Sequence, residues 1–144
     1  MKKLKGLDCI LLVDDDEVNN YLNTILINKI EIDVHVEVAM NGMIALEYLT
    51  STGKYSNNHS FPKPGLIFLD INMPRMNGWE FLDAYNKLDE NQKGKIVIAM
   101  LTSSNNADDV NIALEKYRLP AYIYKPLTLN KLKEFIYEYF PEEE

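Results

Sequence analysis

The chain has 144 residues, of which 47% are hydrophobic, which suits one compact domain with a real core and is short for two. Its net charge of −7 disfavours sequence-independent binding to nucleic acid. The single cysteine, Cys9, excludes an internal disulfide framework and favours the cytoplasm. The apolar stretch after the first lysines is too short for a signal peptide, and no segment reaches membrane-spanning length. We therefore expect a single cytoplasmic domain over residues 1–144 that is not inserted in a membrane.

Five short apolar runs read as buried strands. The predicted strands are Cys9–Val13, Val34–Met40, Leu66–Asp70, Ile96–Leu101 and Ala121–Tyr124. A helical stripe with apolar residues every three or four positions follows each of them. Because strands and helices alternate strictly, we expect a parallel sheet that is covered by helices on both faces.

Three of the predicted helices carry details that the structure can test. In the first, the apolar stripe runs from Val18 to Leu26, with Asp16 as the N-cap. Thr128 is predicted to cap the fifth helix. The stripe of the fourth helix consists of Val110, Ala113, Leu114 and Tyr117.

The segment from Ser51 to Gly65 interrupts this pattern, because it has no apolar period and exceeds the usual loop of about 4–6 residues. It joins the second helix to the third strand, so it belongs at the end of the sheet opposite the strand carboxyl ends. We interpret it as a flexible insertion rather than a partner-binding loop; its role stays open.

Four polar residues end separate strands: Asp15, Asp70, Thr102 and Lys125. In an open parallel sheet such residues converge on one pocket. Crowded carboxylates repel one another, and Mg²⁺ with a phosphate oxygen among its ligands relieves that repulsion. A carboxylate can also accept a phosphoryl group as an acyl phosphate, and the Lys125 ammonium and the Thr102 hydroxyl are suited to bind phosphoryl oxygens.

Each of these residues also has an ordinary structural interpretation. Three aspartates after a strand often form a solvated turn with a helix cap. Thr102 is compatible with turn chemistry or with capping the next helix, a role open to Ser104 and Asn105 as well. The coincidence of all four residues at strand ends favours the phosphoryl site.

The runs ILLVDDD, LIFLDINMPRMNGWEFL, MLTSS and YIYKPL, in this order, resemble the receiver domain of two-component response regulators, in its single-domain chemotaxis-type form. The resemblance covers about Asp8 to Phe140. It implies a flavodoxin-like, doubly wound α/β fold with a five-stranded parallel sheet of order 2-1-3-4-5 and five helices.

The resemblance also implies a role for each matching residue. Asp70 would be the phosphorylated residue and, with Asp15 and the backbone carbonyl of Asn72, a ligand of Mg²⁺. Asp14 would support the metal through water.

The remaining matches concern the residues that would respond to phosphorylation. Lys125 would pair with the phosphoryl group, Thr102 would be the switch hydroxyl, and Tyr122 the aromatic residue that changes rotamer with it. The Lys125–Pro126 peptide bond is commonly cis in the family. The chain departs from the family pattern before the last strand, where Pro120 stands in place of the usual glycine, and in the long loop.

The function implied is that of a stand-alone phosphoacceptor switch rather than an enzyme acting on other molecules. It would take a phosphoryl group from the phosphohistidine of a sensor kinase or phosphotransfer protein and signal through contacts with an output protein. An alternative is a metal-dependent phosphatase or phosphotransferase with an aspartyl-phosphate intermediate. Haloacid-dehalogenase-like enzymes of that kind have a D-x-D-x-T pattern, whereas Asn72 stands here at the second aspartate position.

Two further alternatives remain. A flavodoxin-like cofactor carrier is disfavoured because DDDE after the first strand would repel the cofactor phosphate. A degenerate interaction module is disfavoured because no site residue is missing.

Overall fold

The structure, a computed structural model, describes residues 1–56 and 61–143. Within them, the strands are β1 (Cys9–Val13), β2 (His35–Ala39), β3 (Leu66–Leu69), β4 (Val97–Thr102) and β5 (Ala121–Tyr124). The α-helices are α1 (Glu17–Lys29), α2 (Gly42–Thr50), α3 (Gly78–Asn86), α4 (Glu90–Lys93), α5 (Ala107–Asn111) and α6 (Leu129–Tyr139). The short helix α4 is an addition to the five that the sequence predicts. None of the helices in the described residues is both long and apolar enough to cross a membrane.

All strand pairs are parallel, and the order is β2-β1-β3-β4-β5, which confirms the flavodoxin-like arrangement. Side chains of β1 alternate between two cores. Cys9, Leu11 and Val13 pack in the core beneath α2 and α3, and Ile10 and Leu12 pack in the core beneath α1 and α6. Because β1 and β3 are buried on both faces, every position in them is apolar.

The apolar stripe predicted for helix α1 is wrong in its first turns, whereas Leu26 at its end packs against the core. Asp16 caps the helix as expected, accepting hydrogen bonds from Val18 N and Asn19 N. Tyr21, however, is 68% exposed, and Val18 and Leu22 are exposed beside it. The buried face includes Asn20, whose amide donates to the backbone carbonyl of Asp14 over 2.9 Å. This buried hydrogen bond, which apolar periodicity does not register, fixes the rotation of α1.

The predicted stripe of the fourth helix is wrong at Leu114, which is exposed. Helix α5 continues into a π-helical turn over Ile112–Lys116, closed by a 3.1 Å bond from Tyr117 N to the carbonyl of Ile112. The wider turn changes the residue spacing, so that Ala113 is buried while Leu114 faces outward. The N-cap of α5 is Asn106, not Ser104 or Asn105.

The described parts of the segment after α2 pack against the domain through aromatic residues. Tyr55, in a 3₁₀ turn over Gly53–Tyr55, is buried edge-on against Tyr48 and Phe61, with ring centroids 4.9 and 5.3 Å away. The Tyr48 hydroxyl donates to the carbonyl of Pro62 over 2.6 Å. Residues 57–60, including His59, lie outside the described residues.

The position of this segment is as predicted. Gly65 N donates to the carbonyl of Cys9, at the start of β1, over 2.9 Å. The segment therefore enters the sheet at the edge opposite the strand carboxyl ends.

An N-terminal belt, residues 1–8, closes the core beneath α1 and α6, and the sequence patterns did not reveal it. Asp33 N donates to the carbonyl of Lys2 over 2.6 Å, and Lys5 N donates to the carbonyl of Pro141 over 2.7 Å. The belt thus joins the chain after α1 to the chain after α6. Leu4 and Leu7, each 1% exposed, fill the space between them.

We expect Leu4→Ala to lower the free energy of unfolding by about 3 kcal/mol, because it leaves a cavity in the core that the belt closes. Urea denaturation measures the change. Leu114→Ala is the matched control, since its side chain is exposed, and we expect a change within about 0.5 kcal/mol. Equal effects of the two substitutions would show that the belt does not belong to the cooperative core.

Candidate functional site

The carboxyl ends of β1, β3, β4 and β5 meet around a polar pocket of about 480 Å³. Its lining consists of Asp14, Asp15, Asp16, Asn19, Asp70, Asn72, Ser103, Lys125 and Pro126. The pocket follows from the topology, since parallel strands that start at one edge of a sheet end together at the other.

Three carboxylates face one another in this pocket. Asp14, Asp15 and Asp70 each offer an oxygen, and the three oxygens lie within 4.8 Å of one another. Asp14 and Asp70 are buried, whereas Asp15 is exposed. One oxygen of each buried carboxylate is held by backbone: Asp14 Oδ1 accepts from Asp16 N over 2.9 Å, and Asp70 Oδ1 accepts from Ile71 N over 2.8 Å.

The other oxygen of each buried carboxylate faces Lys125. Its Nζ lies 2.6 Å from Asp14 Oδ2 and 3.3 Å from Asp70 Oδ2. Burial alone would lower the pKa of the Lys125 ammonium, but the hydrogen bond to Asp14 and the charges of both carboxylates outweigh it and raise that pKa. Lys125 therefore stays charged as the cation of this acidic cluster.

Asp70 behaves differently from an ordinary aspartate. Burial raises the pKa of Asp70, and the charge of Asp14 raises it further. The charge of Lys125 and hydrogen bonds from Thr102 and Lys125 lower the pKa, but not enough to cancel the increase. The pKa of Asp70 therefore stands above the usual 3.8. The ionised form is incompletely compensated by the protein, so a further cation in the pocket would stabilise it.

Gly78 explains how helix α3 begins so close to Asp70. A Cβ on Gly78 would lie 2.5 Å from the backbone oxygen of Asp70, which is a clash with backbone that cannot be relieved by a rotamer change. Gly78 N donates to the carbonyl of Ile71 over 2.8 Å, and a capping box between Asn77 and Glu80 starts the helix. The glycine thus allows α3 to brace the backbone that carries Asp70.

Thr102 and Tyr122 are connected through Ser104. Thr102 is buried at the end of β4, and its Oγ1 accepts from Ser104 N over 3.3 Å. The Tyr122 hydroxyl donates to the carbonyl of Ser104 over 2.8 Å, and the Ser104 hydroxyl donates to Asp109 over 2.7 Å. A movement of Thr102 therefore has a direct hydrogen-bonded route to β5 and to α5.

The structure brings the predicted site residues Asp14, Asp15, Asp70, Asn72 and Lys125 into one pocket, with Thr102 beneath it and Tyr122 behind Ser104. The peptide bond between Lys125 and Pro126 is cis, as the resemblance implied.

Sequence reasoning missed Asn19 and Ser103 in the lining, and the buried Asn20 that holds the backbone of Asp14. Ser103 directly follows a predicted strand end, so the strand-end rule could have found it. Asn19 and Asn20 carry no such signal, because they lie inside a helix.

The donor set suits a small hard cation. Carboxylate oxygens from Asp14, Asp15 and Asp70 converge, and Asn72 lies on the same rim. Mg²⁺ binds oxygen ligands and needs only one or two carboxylates, with waters in its remaining positions. The residues present therefore fit such an ion.

Known proteins resemble this chain along most of its length. The family model for the response regulator receiver domain matches residues 10–137. The response regulator Rcp1 of Synechocystis sp. is 33% identical over 127 residues, which cover 88% of this chain and 82% of that protein.

Solved structures agree with this sequence match. The bacteriophytochrome response regulator AtBRR superposes with a TM-score of 0.78 at 30% identity, covering 92% of each chain. The Mn²⁺-bound form of Rcp1 superposes with a TM-score of 0.73 at 30% identity, covering 92% of this chain and 93% of that one.

We expect Asp70→Asn to be more stable than the wild type at pH 7 without divalent cations. In the unfolded chain the Asp70 carboxyl loses its proton near pH 3.8, whereas in the folded protein it keeps the proton to a higher pH. Raising the pH across that interval therefore lowers the free energy of unfolding of the wild type. The asparagine variant escapes this loss, and its advantage should shrink as the pH falls to 3.8 and below.

Urea denaturation at several pH values in the presence of EDTA measures the difference. Asp33→Asn, at an exposed position, is the control and should show no such pH-dependent gain. An Asp70→Asn variant that is less stable than the wild type at pH 7 would contradict the assigned electrostatics.

Proposed function

The chain belongs to the response regulator receiver domain family, and we propose that it is a cytoplasmic phosphoacceptor switch whose phosphorylated residue is Asp70. One observation carries the proposal: Asp70 lies buried at a strand end, with two further aspartates and the Lys125 ammonium around it. The phosphodonor would be a phosphohistidine of a sensor histidine kinase or a histidine phosphotransfer protein.

In the reaction, an oxygen of the Asp70 carboxylate attacks the phosphorus of the phosphohistidine. The new P–O bond forms as the P–N bond breaks, and the imidazole leaves with the electron pair of that bond. Lys125, which already contacts Asp70, would bind one phosphoryl oxygen, and the Thr102 hydroxyl would donate to another.

Asp15, Asp70 and the backbone carbonyl of Asn72 would hold Mg²⁺, with Asp14 acting through water. When bound, Mg²⁺ neutralises charge on the phosphoryl oxygens during transfer. The raised pKa of Asp70 supports this assignment, because a nearby cation favours the ionised form that the reaction requires.

The surface beside the pocket suits contact with a protein that donates the phosphoryl group. Val18, Tyr21 and Leu22 project from the first turns of α1 as exposed apolar side chains, next to the acidic rim formed by Asp15 and Asp16. An apolar surface bordering the phosphoacceptor favours contact with another protein over direct contact with nucleic acid, which the net charge of −7 also disfavours. The output protein would bind a face that includes α5, β5 and α6.

The alternative phosphatase mechanism lacks support at the residue that it requires. Asn72 occupies the rim position where a second carboxyl would act as general acid, and a carboxamide has no proton of suitable acidity to give.

We expect the protein to become phosphorylated on Asp70 when it is incubated with Mg²⁺ and phosphoramidate, whose P–N bond mimics phosphohistidine. Intact-mass spectrometry should show one added phosphoryl group that is lost in base. Asp70→Asn and addition of EDTA should each abolish the adduct, while Asp33→Asn should retain it. Labelling of Asp70→Asn to the wild-type extent would refute Asp70 as the acceptor.

We expect Thr102→Ala to accept the phosphoryl group, but we expect its phosphorylation to change the conformation around Tyr122 only weakly. A hydrogen bond to a charged group contributes roughly 1.5–3 kcal/mol, whereas driving a switch from mostly off to mostly on takes about 5.5 kcal/mol, so Thr102 and Lys125 must act together. Phosphorylation-induced NMR shifts at Tyr122 and Tyr117 should therefore be much smaller in the variant than in the wild type.

Thr102→Ser keeps the hydroxyl and is the matched control, with shifts expected near those of the wild type. If Thr102→Ala shows shifts as large as the wild type, Thr102 is not the coupling residue and serves only the turn that follows β4.

A further inference from the structure

A second cavity lies at the opposite edge of the sheet from the phosphoacceptor pocket. It measures about 350 Å³ and opens between α3, the start of β4 and the turn that precedes β5. Its walls include Leu82, Tyr85, Ile96, Ile98 and Leu119. The volume lies within the range of about 300–1,000 Å³ that is usual for small-molecule sites, and the walls are apolar and aromatic as in such sites.

Arg118 is the cation of the cavity lining. Among the ion pairs of the described residues, none involves its guanidinium. Two of the three tyrosines in the lining have their hydroxyls engaged elsewhere, since Tyr117 donates to Asp83 over 2.7 Å and Tyr85 donates to the carbonyl of Lys93 over 3.3 Å. The lining therefore combines tyrosine rings with one uncommitted guanidinium.

The backbone holds Arg118 in an unfavourable conformation. Its φ of 54° lies in the left-handed region, which costs a non-glycine residue free energy. Both neighbours are fixed by the π-helical turn: Tyr117 N donates to the carbonyl of Ile112 over 3.1 Å, and Leu119 N donates to the carbonyl of Ala113 over 3.0 Å. A π-helical turn and a strained residue beside one cavity are features that cluster at functional sites.

We propose that this cavity binds a small aromatic anion, with its planar body against Tyr85 and the apolar walls and its carboxylate or sulfonate on Arg118. A guanidinium presents paired N–H donors that match the two oxygens of such a group. The ligand would contact the residues that follow the π-helical turn, and would thus lie on the side of α5 away from Thr102. Nothing in this inference depends on phosphorylation of Asp70.

The test uses 8-anilino-1-naphthalenesulfonate as the probe, with the folded full chain. The single tryptophan, Trp79, stacks on Tyr117 with ring centroids 5.6 Å apart, so it lies close enough to the cavity to transfer excitation energy to a bound probe. We expect saturable binding with energy transfer from Trp79. Arg118→Gln should weaken it about tenfold, which is the loss of one charge-assisted hydrogen-bonded contact.

Two controls make the result specific. Lys133→Gln removes an exposed cation from α6 and should bind the probe like the wild type. The uncharged analogue N-phenyl-1-naphthylamine should bind wild-type protein much more weakly than the anionic probe. Unchanged binding in Arg118→Gln, equal binding of the uncharged analogue, or binding without transfer from Trp79 would each overturn the proposal.

Discussion

The Lys125 ammonium lies between two buried carboxylates, 2.6 Å from Asp14 and 3.3 Å from Asp70, and the carboxyl edge of the sheet is organised around this cluster. Burying two carboxylates side by side is unfavourable unless a cation and hydrogen bonds compensate them. Lys125 lies closer to Asp14 than to Asp70, and burial together with the charge of Asp14 keeps the pKa of Asp70 raised in spite of Lys125. The protein thus folds around a site whose negative charge is only partly balanced, and Mg²⁺ is a cation that would complete the balance.

The surrounding structure serves to hold this cluster in place. Asn20 fixes the backbone of Asp14 from α1, and Gly78 allows α3 to approach the backbone of Asp70. Ser104 links the buried Thr102 to Tyr122, so the position of one hydroxyl is tied to an aromatic ring on a different strand. Local hydrogen bonds rather than long-range packing therefore provide the route from the pocket to α5 and β5.

The parts of the fold that the sequence predicts are those with a local signature. The central strands appear as unbroken apolar runs because they are buried on both faces, and the pocket residues could be found because they end those runs. The exposed face of α1 was mispredicted because a buried amide, Asn20, has no apolar signal. Leu114 was mispredicted because the π-helical turn changes the spacing on which periodicity depends. Leu4 is buried among residues that are distant in the sequence, after α1 and after α6, which no local window can register.

The N-terminal belt has a consequence for the order of folding. Its antiparallel bridge joins Leu4 to Glu142, residues near opposite ends of the chain, so its formation must close a loop that contains almost the whole sequence. The entropy lost on closing a loop grows with its length, and it is repaid here only if the sheet and α6 have already brought the two segments together. We therefore expect this bridge to form late in folding. The belt is attached near Asp33 and near Pro141, which lie in different halves of the chain, so the complete belt requires both halves to be folded.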